Sequence, residues 1–240
     1  MLVKGNNQQA IQTARVWQIL GELNLIDSIF NHVSVVSKSH DEKFIMSMNP
    51  EGLLPFETLL DTIRIFPLKE YNLKDARYLG VNPDGLYLHS YIHFCRKKPG
   101  AIIHLHSPYS IAVGNTRQGL LPLSQTSIEF WNDIITVEYS GLFRSGDLDE
   151  NLRFFVQKGG VVLLRNHGLL SVADTVEEAF YLSYYLEEAC RIQCLTLSQN
   201  TEIVMPKDHQ ITIETSQNMK SDRPELALKL FDAFCRKYKI

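Results

Sequence analysis

The sequence predicts an α/β protein built around a mixed, largely antiparallel sheet, and three observations predict it. Strand-like and helix-like segments are interspersed along the chain instead of running in separate blocks. Residues 31–37, NHVSVVS, and 44–48, FIMSM, have period-two character on either side of the turn-like HDEK at 40–43, which reads as a strand and its return. Residues 161–172, VVLLRNHGLLSV, read as two short strands around a tight Asn-His-Gly corner, and a long amphipathic helix follows them.

The remaining elements follow in order. Ala10, Ala14, Trp17 and Leu20 keep helical spacing, so residues 8–23 form a first helix. NPEG at 49–52 breaks the strand before it. TIRIF, inside 59–67, holds another strand, and the polar stretch 68–80 is expected to be a hairpin or loop. NPDG at 82–85 is a second breaker, and LYLHSYIHFCRKK after it is a helix with Leu88, Ile92 and Cys95 inward. Arg96, Lys97 and Lys98 load the end of that helix with positive charge, which suits its dipole, and Pro99-Gly100 stops it. Ala101, Ile102 and Ile103 read as a buried strand, with a short helix from Pro108 to Gly114 beyond it. Residues 121–131 are apolar with polar punctuation, 134–141 is a strand and turn, and 149–158 is helical. Asp174 with Glu177 resembles a capping box opening the helix that runs to about Leu197. Residues 198–222 are polar and expected to be irregular, before a last helix that starts near Pro224. The expectation is a single domain over 1–240.

Composition narrows the function. The chain has 240 residues, 45% hydrophobic and 21% charged, which suits one sizeable core. A formal charge of −3 argues against broad binding to nucleic acid or anionic membranes. No run approaches a membrane span and MLVKGNNQQA lacks the apolar stretch of a signal peptide. Cys95, Cys190, Cys194 and Cys235 show no CxxC pairing. These features lead to the expectation of a reduced, cytoplasmic protein.

The chemistry concentrates in AIIHLHSPYS, residues 101–110. His104 and His106 are two apart, so on a strand they share one face and can converge on one ion. The bland alternative is a pair of surface histidines at a strand end, and a third ligand decides between them. His167 offers one, held between an apolar strand and Gly168 at a sharp corner. Three imidazoles with open positions are the usual layout of a catalytic Zn²⁺ site, while Fe, Mn, Ni and Cu are also compatible with them. His89 and His93, four apart on one helix face, compete for the role. His89 reads as a support behind the ligands and His93 as a histidine bonded to backbone. His32, His40 and His209 read as structural or exposed.

AIIHLHS, followed by LLRNHGLL and DTVEEAFYLSYYLEEACRIQ, resembles the class II aldolase/adducin family over residues 8–200. NHVSVVS, FIMSMNPEGLLPFE, VNPDGLYLHSYIH and GLLPLSQTSIEF resemble its adducin-like branch. The resemblance implies a three-layer α/β/α fold around a mainly antiparallel sheet and a homotetramer with its site near a subunit interface. It also implies His104, His106 and His167 as ligands of a divalent metal. The chain departs from the sugar-phosphate aldolases of that family. Their catalytic Glu falls at Gly85 or Asp84, their phosphate-binding serines are missing, and their Gly-Asn segment has become Asn31-His32. Their phosphate-side loop has become NPEG, where Glu51 would repel a phosphate, and the Tyr donor of some members falls near Gln125 or Thr126.

Three readings result. The first is a metal-dependent lyase, performing aldol cleavage or decarboxylation on a small carbonyl compound without a phosphate. Asp84 or Glu129 would move the proton, and Gln125 and Ser107 would line the site. For Glu129 the bland alternative is a solvated charge beside Trp131, and for Asp84 it is a helix N-cap. The second reading is a non-haem Fe(II) oxygenase acting on an aromatic keto acid. The third is a non-catalytic interaction module like that of adducin.

Overall fold

The computed structural model describes residues 7–38, 44–58, 60–69, 71, 73–131, 133–139, 141 and 150–240. The expected turn at 40–43, with His40, and the start of the 149–158 helix lie outside them. Among the described residues seven strands form one sheet: β1 (His32–Lys38), β2 (Phe44–Met48), β3 (Arg64–Pro67), β4 (Gly100–Leu105), β5 (Ile134–Val137), β6 (Gly160–Leu164) and β7 (Gly168–Ala173). Their spatial order is β3-β2-β1-β4-β7-β6-β5. All neighbours are antiparallel except β5 and β6. The helices are α1 (Asn7–Glu22), α2 (Leu73–Leu79), α3 (Pro83–Arg96), α4 (Pro108–Gly114), α5 (Gln125–Ile128), α6 (Glu150–Lys158), α7 (Val176–Leu197) and α8 (His209–Tyr238).

The central strands β4, β6 and β7 are buried along their whole length, because helices cover both faces. On one face Val33, Ile103, Leu105, Leu163 and Leu169 pack with Trp17 of α1 and Phe180 and Leu186 of α7. On the other, Ile102, Val162, Leu170 and Val172 pack with Leu88 and Ile92 of α3 and Val156 of α6. Each such aliphatic side chain contributes about 1.5–3 kcal/mol on burial. This is the three-layer α/β/α arrangement, with successive residues of a strand sent to opposite layers. His104 has the parity of Ile102, so it faces the α3 layer.

Five local expectations need correction. The 68–80 stretch is no hairpin or loop, since α2 occupies 73–79 and buries Ala76. Two turns are too short to display a repeating apolar face. NPDG does not precede α3 but forms its first turn. Asn82 is the N-cap, accepting from the Gly85 amide at 2.8 Å, with Pro83 at the first helical position, so Asp84 is not the cap. Helix α7 is capped by Thr175, whose side chain accepts from Glu178 N, rather than by Asp174. Asp174 pairs instead with Lys98 at 2.7 Å and with Arg96. Arg96 is itself buried and donates to the Val156 carbonyl at 2.6 Å, which clamps α3 to α6, so it does more than balance a helix dipole.

The last correction concerns 198–222. Only the stretch before His209 is irregular, because α8 starts there, capped by Asp208 at Gln210 N and Ile211 N, and carries Pro224 inside it. The buried stripe of α8 runs Thr212, Ser216, Ala227, Phe231. Its first half is hydroxyl-bearing, and a search for apolar periodicity passes over it.

Candidate metal centre

Register builds the site. His32 on β1 lies directly opposite His104 on β4, and directly opposed residues put their side chains on the same face in contact. Their rings stack at 4.7 Å between centroids. Two residues on, His106 leaves the strand, and its amide donates to Asn31 Oδ1 at 2.7 Å. His167 comes from the corner between β6 and β7, 4.7 Å from the His104 ring and 5.0 Å from the His106 ring. That corner is pressed onto the β4 strand, and a Cβ at Gly168 would lie 2.1 Å from the Leu105 carbonyl oxygen. One nitrogen from each of His104, His106 and His167 falls within 4.8 Å of the others.

Acceptors behind two of the rings orient their nitrogens. His104 Nδ1 lies 2.8 Å from the Leu169 carbonyl, which can only accept, so Nδ1 carries the hydrogen and Nε2 is bare. His106 Nδ1 faces the Asp27 carboxylate at 3.4 Å, which likewise only accepts, and Asn31 Nδ2 donates to the same carboxylate. The two Nε2 atoms then face each other at 3.1 Å. Two bare lone pairs at that distance repel unless a cation, a metal ion or a proton, lies between them. His104 is buried and His106 about one-fifth exposed, so the cluster opens to solvent on the His106 side.

Behind the cluster runs a buried chain. His32 Nδ1 meets His89 Nε2 at 3.0 Å, His89 Nδ1 meets Ser34 Oγ at 2.7 Å, and Ser34 Oγ meets His93 Nε2 at 2.8 Å. Burial pushes His32, His89 and His104 well below the ordinary imidazole value, and neighbouring imidazoles push the same way. Burial also lowers His167 to about 4, with His106 adding to it and Asp84 opposing. His93 is pushed down to about 3 by burial and then by Arg96. Between its ordinary value near 6.5 and about 3, the unfolded chain takes up a proton there that the folded chain refuses. Acid therefore destabilises the fold by about 1.4 kcal/mol per pH unit for each such group. His93→Gln is expected to remove that share in urea titrations near neutral pH and near pH 5, and an unchanged pH slope would refute it.

The structure brings together part of the expected set. Ser107, buried directly after His106, donates to the Leu25 carbonyl at 3.3 Å. Asp84, in the first turn of α3, is close enough to act on His167. Glu129 is not a solvated charge. It is 1% exposed, with its carboxylate oxygens on Arg223 Nε at 2.9 Å and Tyr181 OH at 3.0 Å. Burial pushes its carboxyl up while Arg223 pulls it down. Gln125 stands exposed on the first turn of α5, a helix packed on α7 and α8. His89 supports His32 rather than a ligand, His93 bonds Ser34 rather than backbone, and His209 meets the Trp131 ring at the surface. Sequence reasoning passed over Asp27, treated Asn31 only as a departure, and read His32 as structural or exposed. The one available signal was the i, i+4 spacing of Asp27 and Asn31 just ahead of β1.

A sequence model of the family described as Class II Aldolase and Adducin N-terminal domain matches residues 11–194. The chain belongs to the class II aldolase/adducin family. Mouse (Mus musculus) alpha-adducin is 31% identical over 206 residues, covering 81% of this chain and 26% of that protein, so the chain spans about a quarter of that relative's length. The aldolase II superfamily protein from Pseudomonas syringae superposes with a TM-score of 0.83 at 29% identity, over 96% of this chain and 92% of that one. The L-fuculose 1-phosphate aldolase from Glaciozyma antarctica PI12 shares the fold at a TM-score of 0.78 and 22% identity, over 96% and 89% of the two chains. Helix α8 lies beyond the stretch that matches the class II aldolase/adducin family. No helix among the described residues is long and apolar enough to cross a membrane.

Proposed function

We propose that the chain is a metal-dependent lyase in which His104, His106 and His167 hold one divalent ion, zinc first among the candidates. The observation that supports this is the pair of Nε2 atoms 3.1 Å apart, with His104 Nδ1 on the Leu169 carbonyl and His106 Nδ1 3.4 Å from the Asp27 carboxylate. An all-imidazole set of three suits such an ion and leaves positions open. When bound, the ion would supply Lewis-acid polarisation of a carbonyl oxygen. The chain's own groups do the rest. Leu169 O and Asp27 orient two of the rings, and Asp84 is the carboxylate placed to hold or move a proton beside His167. Asp27 and Asp84 make the surroundings acidic, which disfavours a phosphate and favours a small uncharged or chelating carbonyl compound. Self-association into a homotetramer is part of this reading.

Metal analysis of the purified protein tests it. Stoichiometric zinc or manganese supports the lyase. Iron, together with oxygen uptake on an aromatic keto acid, would move the assignment to the oxygenase. Protein that stays metal-free in excess zinc would leave the adducin-like interaction module. Asp27→Asn keeps the shape but weakens acceptance from His106, and is expected to loosen zinc about tenfold in competition titrations; unchanged affinity would remove Asp27 from the site. L-fuculose 1-phosphate is expected to be cleaved negligibly, and robust cleavage would show that the acidic surroundings tolerate a phosphate.

A further inference from the structure

His32 carries an inference that deepens the lyase reading and rests on it for the presence of substrate. Ser34 Oγ has one hydrogen and sits between two ring nitrogens, so one ring must donate to it and the other must accept. His93 decides the direction. Its Nδ1 is buried without a partner, and a sealed N–H is a worse orphan than a sealed lone pair. Its hydrogen therefore sits on Nε2 and points to Ser34. Ser34 then donates to His89 Nδ1, His89 donates through Nε2 to His32 Nδ1, and the remaining hydrogen of His32 is on Nε2.

Among the described residues no hydrogen-bond partner faces that nitrogen, and it is not one of the sealed atoms that lack one. It belongs to a ring stacked on His104. A hydrogen on it excludes metal ligation and suits an oxygen acceptor. Room for the ring comes from Gly85, where a Cβ would lie 2.6 Å from His32 Cδ2, the carbon next to Nε2.

We propose that His32 donates a hydrogen bond from Nε2 to an oxygen of the substrate bound beside His104, and that His93, Ser34 and His89 are positioning residues that lock it in this donor tautomer. The ligand class is a small chelating carbonyl or carboxylate compound that presents an acceptor oxygen and carries no phosphate.

Two measurements test this. In metal-free, ring-¹⁵N-labelled protein, long-range proton–nitrogen spectra should show His32 protonated at Nε2 and bare at Nδ1. Ser34→Ala should turn that pattern into a mixture while circular dichroism stays unchanged. A purely structural serine would leave the pattern alone, and a bare Nε2 in the wild-type protein would overturn the wiring. In zinc-loaded protein, oxalate serves as the oxygen probe. H32F is expected to bind oxalate about tenfold more weakly at equal zinc content, while H32Q, which keeps a donor, stays within about twofold. Equal oxalate affinity in all three proteins would overturn the contact. Protein that takes up no zinc would refute the lyase reading and the substrate contact with it, whereas the ring-nitrogen pattern decides the wiring independently.

Discussion

The double variant H104A/H106A is expected to lose divalent-ion binding by more than about a hundredfold and to keep its fold. Removing two of three ligands exceeds the tenfold to hundredfold that follows loss of a supporting hydrogen bond. The structural cost is smaller. His104 gives up its bond to the Leu169 carbonyl, worth about 1 kcal/mol, and His106 already stands partly in solvent. Relief of the two facing nitrogens offsets part of that loss. Equilibrium dialysis against zinc with near-ultraviolet circular dichroism reads both quantities at once. Undiminished zinc in a folded double variant would leave the three histidines without a function.

Glu129→Ala is expected to have the largest effect on stability and none on metal content. Glu129 is buried against Arg223, whose side chain is 12% exposed, and breaking a buried pair from one side costs about 3–5 kcal/mol. For a chain of this size that corresponds to a melting temperature lower by about 10 °C. The damage should centre on α8. Arg223, the Lys220 bond to the Trp131 carbonyl and the Ser216 contact with the Glu129 carbonyl all tie this helix to the segment that follows α5. Amide exchange across 209–238 should accelerate with zinc retained. A variant that melts normally but loses zinc would place Glu129 at the site and not in the clamp on α8.

What could be read from the residues alone follows from the range over which each signal acts. His104 and His106 announce themselves because strand parity is local, and His167 because it shares a tight corner with Gly168. The strands β4, β6 and β7 are legible as apolar runs. His32 is not legible in the same way. Its role depends on lying opposite His104, a pairing between residues 72 positions apart in the chain, and one sequence does not display register. Asp27 acts through a loop contact of the same long-range kind. The burial of Glu129 is hidden for a complementary reason. A carboxylate between Ile128 and Phe130 looks reactive until its partner is known, and Arg223 lies 94 residues away. Helix α8 was cut short because hydroxyls at Thr212 and Ser216 fill the positions where leucines would have marked its inner side.

The contact between Gly168 and the Leu105 carbonyl has a consequence for selectivity. Long side chains can stretch or shrink their reach, but two abutting main chains cannot, so the bite between the backbones of His106 and His167 is set by polypeptide. A methyl group at position 168 would wedge that bite open. If the histidines hold an ion, how well its size fits thus depends on the one residue there that contributes no bulk.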